Sequence, residues 1–387
     1  FYNAYNSEFN KSFFRASSAY NYKINAQHKF EVGLIWIRQN FNMDQNNWNF
    51  ETNQMDNILN DEGYAYRSQS FLSWKYRLTE DVTLISGLHY MYFDLNKSQS
   101  VEPRLGLKWE ALPRGAFNLG VGLHSKLESI STYLYKEHDE FGYTRPNENL
   151  TASKAAHFVV GYDQMLGERT HLKVEMYYQH LYQVPIENND TSTYSLINVS
   201  DEYIDRQLVN EGAGRNYGLE LTLEQYLHKG FYYLATASVF NSLYTAGDNR
   251  ERQGAYANDY IFNILGGKEF KIGQPSKNRV LFINAKLSLI GGKRYTPIDL
   301  DGSIAAGYQV RHEDRPFSLK SDDIFIGNIA IGLRRDKGNT TSEFKIDIQN
   351  FTNNQAIVNE YWVHGLEEVY QAPQLPMFPT ISYSLSF

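Results

Sequence analysis

Charged side chains of both signs recur at alternate positions inside apolar runs: Glu31, Arg104, Lys108, Glu110, Lys173, Glu175, Glu220, Glu224, Lys286, Lys345 and Asp347. Residues two apart on an extended chain share a face, so these groups would line one side of a β wall. In an open channel they would pass ions. Behind a plug they would pair with plug charges, and otherwise they are hydrated wall charges without a specific partner. A second set is aromatic. Trp48, Tyr194, Tyr203, Tyr295, Tyr361 and Trp362 stand in polar stretches between the runs, where a ring can stack on a sugar, a cofactor or a peptide, or pack its own loop. His138-Asp139-Glu140 and Asp299-Leu300-Asp301-Gly302 contain metal-ligand types without a full ligand count or spacing, so neither a metal nor a cofactor is expected. No Gly-x-Ser-x-Gly, His-Glu-x-x-His or phosphate loop occurs. His124, His157, His171 and His180 fall on predicted strands with no Ser or Asp constellation that sequence can place. The expectation is a binding or transport protein, not an enzyme.

The elements that must position these groups are strands. At the C-terminus Ile381, Tyr383, Leu385 and Phe387 alternate with Ser382, Ser384 and Ser386, a period of two. Similar runs come in pairs joined by a few residues, as at Asn25-Ala26-Gln27, Thr79-Glu80-Asp81, Pro113-Arg114-Gly115, Gly167-Glu168-Arg169 and His228-Lys229-Gly230. About fifteen strands of roughly 11–13 residues emerge, against about 5–6 in ordinary sheets. A polar loop is expected over Asn42–Tyr64, and longer ones over Glu128–Ala152, Gln183–Arg215, Gly291–Asp323 and Thr352–Met377. Short turns at one rim and long loops at the other are the layout of an outer-membrane barrel. The fold class is therefore all-β: a transmembrane antiparallel up-and-down barrel with its C-terminus at the periplasmic rim. Trp109, Phe231, Tyr233 and Phe387 would form one aromatic girdle, and Trp36, Tyr90, Tyr92, Tyr178 and Tyr217 the other.

Composition agrees with that class. The 387 residues include 30 Tyr, 23 Phe and no Cys, with a net charge of −7 that argues against nucleic acid as a partner. Absent cysteine removes disulfides and thiol chemistry and fits an oxidising compartment. Mean hydropathy is negative, as it is for strands that carry apolar residues only at alternate positions. An odd strand count cannot place both ends of a bacterial barrel at one rim. The sequence is therefore expected to be the C-terminal part of a longer barrel domain.

Val101-Glu-Pro-Arg-Leu-Gly106, Asn147-Glu-Asn-Leu150 before Lys154-Ala-Ala-His157, Glu175-Met-Tyr-Tyr178 and Asn216-Tyr-Gly-Leu-Glu220 form an ordered set. Gly291-Gly-Lys-Arg-Tyr-Thr-Pro297, Asp347-Ile-Gln-Asn350 and the closing strand continue it. Together they resemble the C-terminal half of TonB-dependent outer-membrane receptors, in the branch with a carboxypeptidase-regulatory-like domain ahead of the plug. The resemblance implies a plugged barrel of about 22 strands, about seven of them upstream. It also implies a TonB complex as energy source, the barrel-assembly machinery during biogenesis, and outer-membrane lipid around the wall. Its acidic wall residues pair with plug arginines, a role that would fall on Glu220 in the Gly-x-Glu context. Active import of a scarce ligand is the leading expectation. A passive porin or protein-translocating channel, and a barrel that docks a surface lipoprotein, remain as alternatives.

Overall fold

The computed structural model describes every residue except 1–4, 50, 51, 53, 140, 200–203, 275 and 276. Its main sheet has sixteen strands, one of which, Glu251–Gln253, pairs off the main path. The other fifteen are β1 (Tyr5–Lys23), β2 (His28–Asn49), β3 (Gln54–Arg77), β4 (Val82–Phe93), β5 (Gln99–Leu112), β6 (Gly115–Lys126), β7 (Ser153–Leu166) and β8 (Thr170–Glu187), then β9 (Leu208–His228), β10 (Phe231–Thr245), β11 (Tyr260–Ile272), β12 (Arg279–Ile290), β13 (Ile324–Lys337), β14 (Thr340–Gln349) and β15 (Phe378–Ser386). Each pairs antiparallel with its chain neighbour, so the topology is up-and-down throughout. Among the described residues β1 pairs only with β2 and β15 only with β14.

The connections alternate as expected. One end carries the short turns 24–27, 78–81, 113–114, 167–169, 229–230, 273–278 and 338–339; the other carries 127–152, 188–207, 246–259, 291–323 and 350–377. Asn42–Tyr64, however, is not a loop. Strands β2 and β3 run 22 and 24 residues and keep register to Asn49↔Gln54, with one bulge at Gln45/Asn46. Side-chain amides support this outer half. Asp44 accepts from Asn46 (2.9 Å) and Asn57 (2.7 Å), and Asp56 accepts from Asn49 (2.7 Å). Such a polar ladder holds a hairpin together in water with residues that elsewhere make loops.

One face of the wall is apolar and uncovered. Leu34, Met176 and Ile264 are 63%, 57% and 60% exposed, and Leu105, Leu119, Val160, Leu219, Val239 and Ile331 share that condition. An apolar face this large needs a cover, and bilayer hydrocarbon matches its band-like distribution. Rings gather at both ends of the face. Near the short turns Phe30, Trp74 and Tyr76 stack at 5.9 and 5.3 Å, and Trp109 packs on Phe117 at 6.0 Å. Near the long loops Trp36 stacks on Tyr66 at 5.3 Å. The opposite face is polar along most of its height. At the long-loop end it bears the main hydrophobic cluster: Phe41, Met43, Leu59, Phe93 and Leu208 of the wall against Ile130, Tyr133, Leu134, Leu150 and Ile204 of the loops.

Leu221 lies opposite Val174 on the apolar face. We expect Leu221→Arg to cost about 2–4 kcal/mol of folding free energy in lipid vesicles near the midplane. Glu220→Lys, on the polar face, should cost far less. Equal losses in denaturant titrations of the two variants would contradict the assignment of faces.

Candidate functional site: inner wall and loop canopy

The long loops interlock over the polar face. Asn147, fully buried, donates to the Arg206 carbonyl (3.0 Å) and accepts from the Leu208 N–H (2.7 Å), tying loop 127–152 to loop 188–207. Asn210 donates to Thr151 and Gln183 carbonyls, and Thr193 donates to the Glu313 carbonyl. Asp61 at the β3 rim receives Lys136 at 3.0 Å and Arg145 at 2.5 Å. Lys136 and Arg145 thereby tie loop 127–152 to the rim of β3. Burial raises the Glu128 carboxyl above its ordinary range, although the Ser153 hydroxyl donates to it. Asp248 is held low by Arg252, and Asp323 by the Tyr260 hydroxyl and the Gly292 N–H.

Of the eleven wall charges singled out in the sequence, eight have partners within the wall, and Glu31, Glu220 and Lys286 have none among the described residues. Arg104 binds Glu102 (2.7 Å), Lys108 binds Glu110 (2.6 Å), Glu175 binds Lys173, and Asp347 lies 3.7 Å from Lys345. Glu224 accepts from Tyr226 and contacts His171, both at 3.1 Å. Glu220 differs. It stands opposite Glu175 on the adjacent strand, is exposed, and has no hydrogen bond or ion pair among the described residues. A like-charge pair in this position is unfavourable until a cation arrives, and Lys173 already serves Glu175.

Glu220 opens on a cavity of about 560 Å³ whose lining includes Glu175, Tyr177, Gln179, Asn216, Asn241 and Tyr256. Gly218 is required beside it. A Cβ there would meet the Tyr177 hydroxyl and Phe240 Cβ at 2.8 Å. Glycine thus lets Tyr177 lie across β9 toward the cavity. A second cavity of about 350 Å³, toward the canopy, shares Leu181, Ile197 and Tyr256 with the first. The pair offers a path from canopy to wall lined by amides, hydroxyls and a free carboxylate, suited to hydrogen bonding and to holding a cationic group.

The loop aromatics do not converge on one site. Trp48 belongs to β2, opposite Met55. Tyr194 lies under the Arg206 guanidinium at 4.1 Å, and Tyr295 pairs with Leu319 in a short ladder. Tyr361 and Tyr370 pack at 5.2 Å across the hairpin Ile357–Val363/Glu368–Pro373, and Trp362 stands edge-on to His364. Tyr203 lies outside the described residues. The Asp299 carboxylate caps helix Leu300–Ala306 by accepting from the Gly302 N–H at 2.9 Å. Glu140, the third residue of the other ligand-type run, also lies outside the described residues. Ile381, Tyr383 and Leu385 form one exposed face of β15, followed by the exposed Phe387.

Two wall networks were not foreseen. Glu102, 4% exposed, is contacted by Ser100, Arg104 and His89 at 3.1, 2.7 and 3.2 Å. Its place two residues from Arg104 was the available signal. His171 spans Asp163 and Glu224 at 3.1 Å each, and Asn118 donates to Asp163 at 2.6 Å. That network crosses β6 to β9 and depends on strand register, which composition does not carry.

Comparison with known proteins places this geometry. A family model described as TonB dependent receptor-like, beta-barrel, matches residues 1–310. Curated proteins return no match. Among solved structures, the ferric preacinetobactin receptor of Acinetobacter baumannii superposes with a TM-score of 0.67 at 12% identity, over 99% of this chain and 55% of that one. The ferric yersiniabactin uptake receptor of Yersinia pestis gives 0.66 at 11%, over 100% and 56%. The outer membrane transporter YddB of Escherichia coli gives 0.62 at 12%, over 98% and 54%. At these identities the likeness is one of fold. The chain spans about half the length of these proteins.

Removing the buried bridge should loosen the canopy. Asn147→Ala leaves the Leu208 N–H unsatisfied, for an expected loss of about 1–3 kcal/mol of local stability. Hydrogen exchange over residues 145–151 and 205–208 should accelerate while the strands stay protected. Unchanged exchange would show that the loops are held elsewhere.

Proposed function

This chain belongs to the TonB-dependent receptor family, and on that premise we propose that it forms wall and outer loops of an importer that takes up a scarce ligand with TonB-derived energy. Membership implies the bacterial outer membrane, where the apolar face would lie against lipid and the polar face turn inward. In this reading the short turns and the C-terminus meet the periplasm, and the canopy meets the exterior. The free edges of β1 and β15 are joined through further strands of the receptor, closing the wall around a plug.

The observation that carries the reading is Glu220. Eight of the other ten wall charges are neutralised or hydrogen-bonded within the wall, whereas Glu220, unpaired among the described residues, faces both a roomy cavity and the like charge of Glu175. A passive pore needs no such exception. A plug that must dock and later be displaced needs a cationic contact the wall does not satisfy by itself. A guanidinium from the plug would relieve the Glu175/Glu220 repulsion and form a charge-assisted bond in a partly dehydrated space. Ligand first meets the canopy, whose cross-ties give it a defined shape, and passes along the two adjoining cavities when the plug is remodelled. Two of the structural neighbours are named for ferric preacinetobactin and ferric yersiniabactin. Here the ligand class follows the loops, which differ from receptor to receptor.

A second reading, docking of a surface lipoprotein, is favoured by one feature. The outer hairpin Ile357–Val363/Glu368–Pro373 carries exposed Tyr361 and Tyr370, with Leu366 at its tip. Deleting that tip should leave transport intact if the importer works alone.

In the intact receptor Glu220→Ala should raise entry of large antibiotics while leaving ligand binding at the canopy unchanged. Unaltered antibiotic exclusion together with unaltered uptake would remove Glu220 from the mechanism.

A further inference from the structure

The outward face of β2 changes character at one residue. Phe30, Val32, Leu34 and Trp36 lead up to Arg38, and Asn40, Asn42, Asp44 and Asn46 follow it. Register puts Phe14 of β1 on one side of Arg38 and Tyr66 of β3 on the other. Arg38 therefore sits where the apolar band gives way to the polar hairpin, at the height of the outer aromatic girdle.

Rings surround it. The guanidinium lies 4.6 Å from the Tyr64 ring centre, Trp36 stacks on Tyr66 at 5.3 Å, and Phe14 meets Trp36 edge-on at 6.0 Å. Phe14 and Tyr64 are more than half exposed, so the platform is open to its surroundings. Arg38 Nε is buried without a hydrogen-bond partner, and no carboxylate pairs with Arg38 among the described residues. The nearby acids are otherwise engaged or distant. Asp94, next to Tyr66, accepts the Tyr66 N–H, and Asp44 accepts Asn46 and Asn57. Glu62, opposite Asn42, is four residues farther along β2, roughly 13 Å away and beyond a Debye length of about 8 Å. Arg215, also on the outward face near the long loops, shows the ordinary solution, pairing with Glu251 at 2.5 Å.

An unpaired arginine on a lipid-facing surface is tolerated at the interface, where phosphate groups lie. Its planar fork matches a phosphate bidentately, and its stem and stacked ring fix its direction. We propose that Arg38, on the platform of Phe14, Trp36, Tyr64 and Tyr66, is a binding site for the phosphate of an anionic lipid headgroup in the outer leaflet. The site rests on the membrane-wall reading above. It acts as a lateral anchor that fixes the height of the barrel and keeps one lipid bound beside β1–β3.

Native mass spectrometry of the intact receptor tests this, after reconstitution in zwitterionic nanodiscs doped with lipid A or with dephosphorylated lipid A. Wild type should retain lipid A and lose the dephosphorylated form. Arg38→Gln should reduce lipid A occupancy about tenfold, the loss expected for one charge-assisted hydrogen-bond set. Arg38→Lys should fall between them, and Arg215→Gln should match wild type. Millimolar inorganic phosphate should not displace the lipid. Equal lipid A occupancy in wild type and in Arg38→Gln that still runs as a heat-modifiable monomer would overturn the site. Displacement by inorganic phosphate would overturn the lipid assignment. A wild-type receptor that never enters the nanodisc would instead overturn the membrane reading on which the site rests.

Discussion

Backbone hydrogen bonding in hydrocarbon is the constraint on which the rest of this structure depends. No water is available inside a bilayer to satisfy an N–H or a C=O, so every strand must be paired along its full membrane-crossing length. The antiparallel path from β1 to β15 is continuous, each internal strand having a partner on both sides. Side chains then divide by the pleat into two chemically distinct faces. The two edges of the sheet, on β1 and β15, each have one partner strand among the described residues.

Once the outward face belongs to lipid, all polar recognition is confined to the inner face and the loops. The inner face handles its charges locally: short-range pairs such as Lys108–Glu110 and multi-strand networks such as Asp163–His171–Glu224 cost little desolvation and keep the wall rigid. Exceptions to local pairing therefore carry information. Glu220 is one on the inner face and Arg38 is one on the outer face. The first points to a partner inside the barrel and the second to one in the membrane. The canopy follows the same economy, since Asn147 and Asp61 join loops distant in sequence with few side chains.

The parts of the fold legible in the sequence were those governed by the period of two. Ser153–Leu166, Tyr260–Ile272 and Arg279–Ile290 are 14, 13 and 12 residues long, close to the length expected of membrane-crossing strands. The outer half of the β2–β3 hairpin was not legible. Asn and Asp there build a ladder from the residues that elsewhere build loops, and only pairing distinguishes the two. The inner-face charges were visible as a set, yet their partners were not, because contacts such as His171 with Glu224 depend on register between strands far apart in sequence. The surroundings of the loop aromatics were not legible either. Trp48 and Tyr361 are placed by hairpins that polar composition conceals.

The central claim is that the wall presents odd-numbered residues of β9 to lipid and even-numbered ones to the interior. The chain has no cysteine, so single cysteines from Asn216 to Leu227 can be spin-labelled without background. Paramagnetic accessibility in bilayers, with oxygen reporting lipid and a nickel chelate reporting water, reads the faces directly. The account predicts oxygen maxima at Tyr217, Leu219, Leu221 and Leu223, with minima at Gly218, Glu220 and Thr222. A profile without that period, or with the opposite phase, would contradict it.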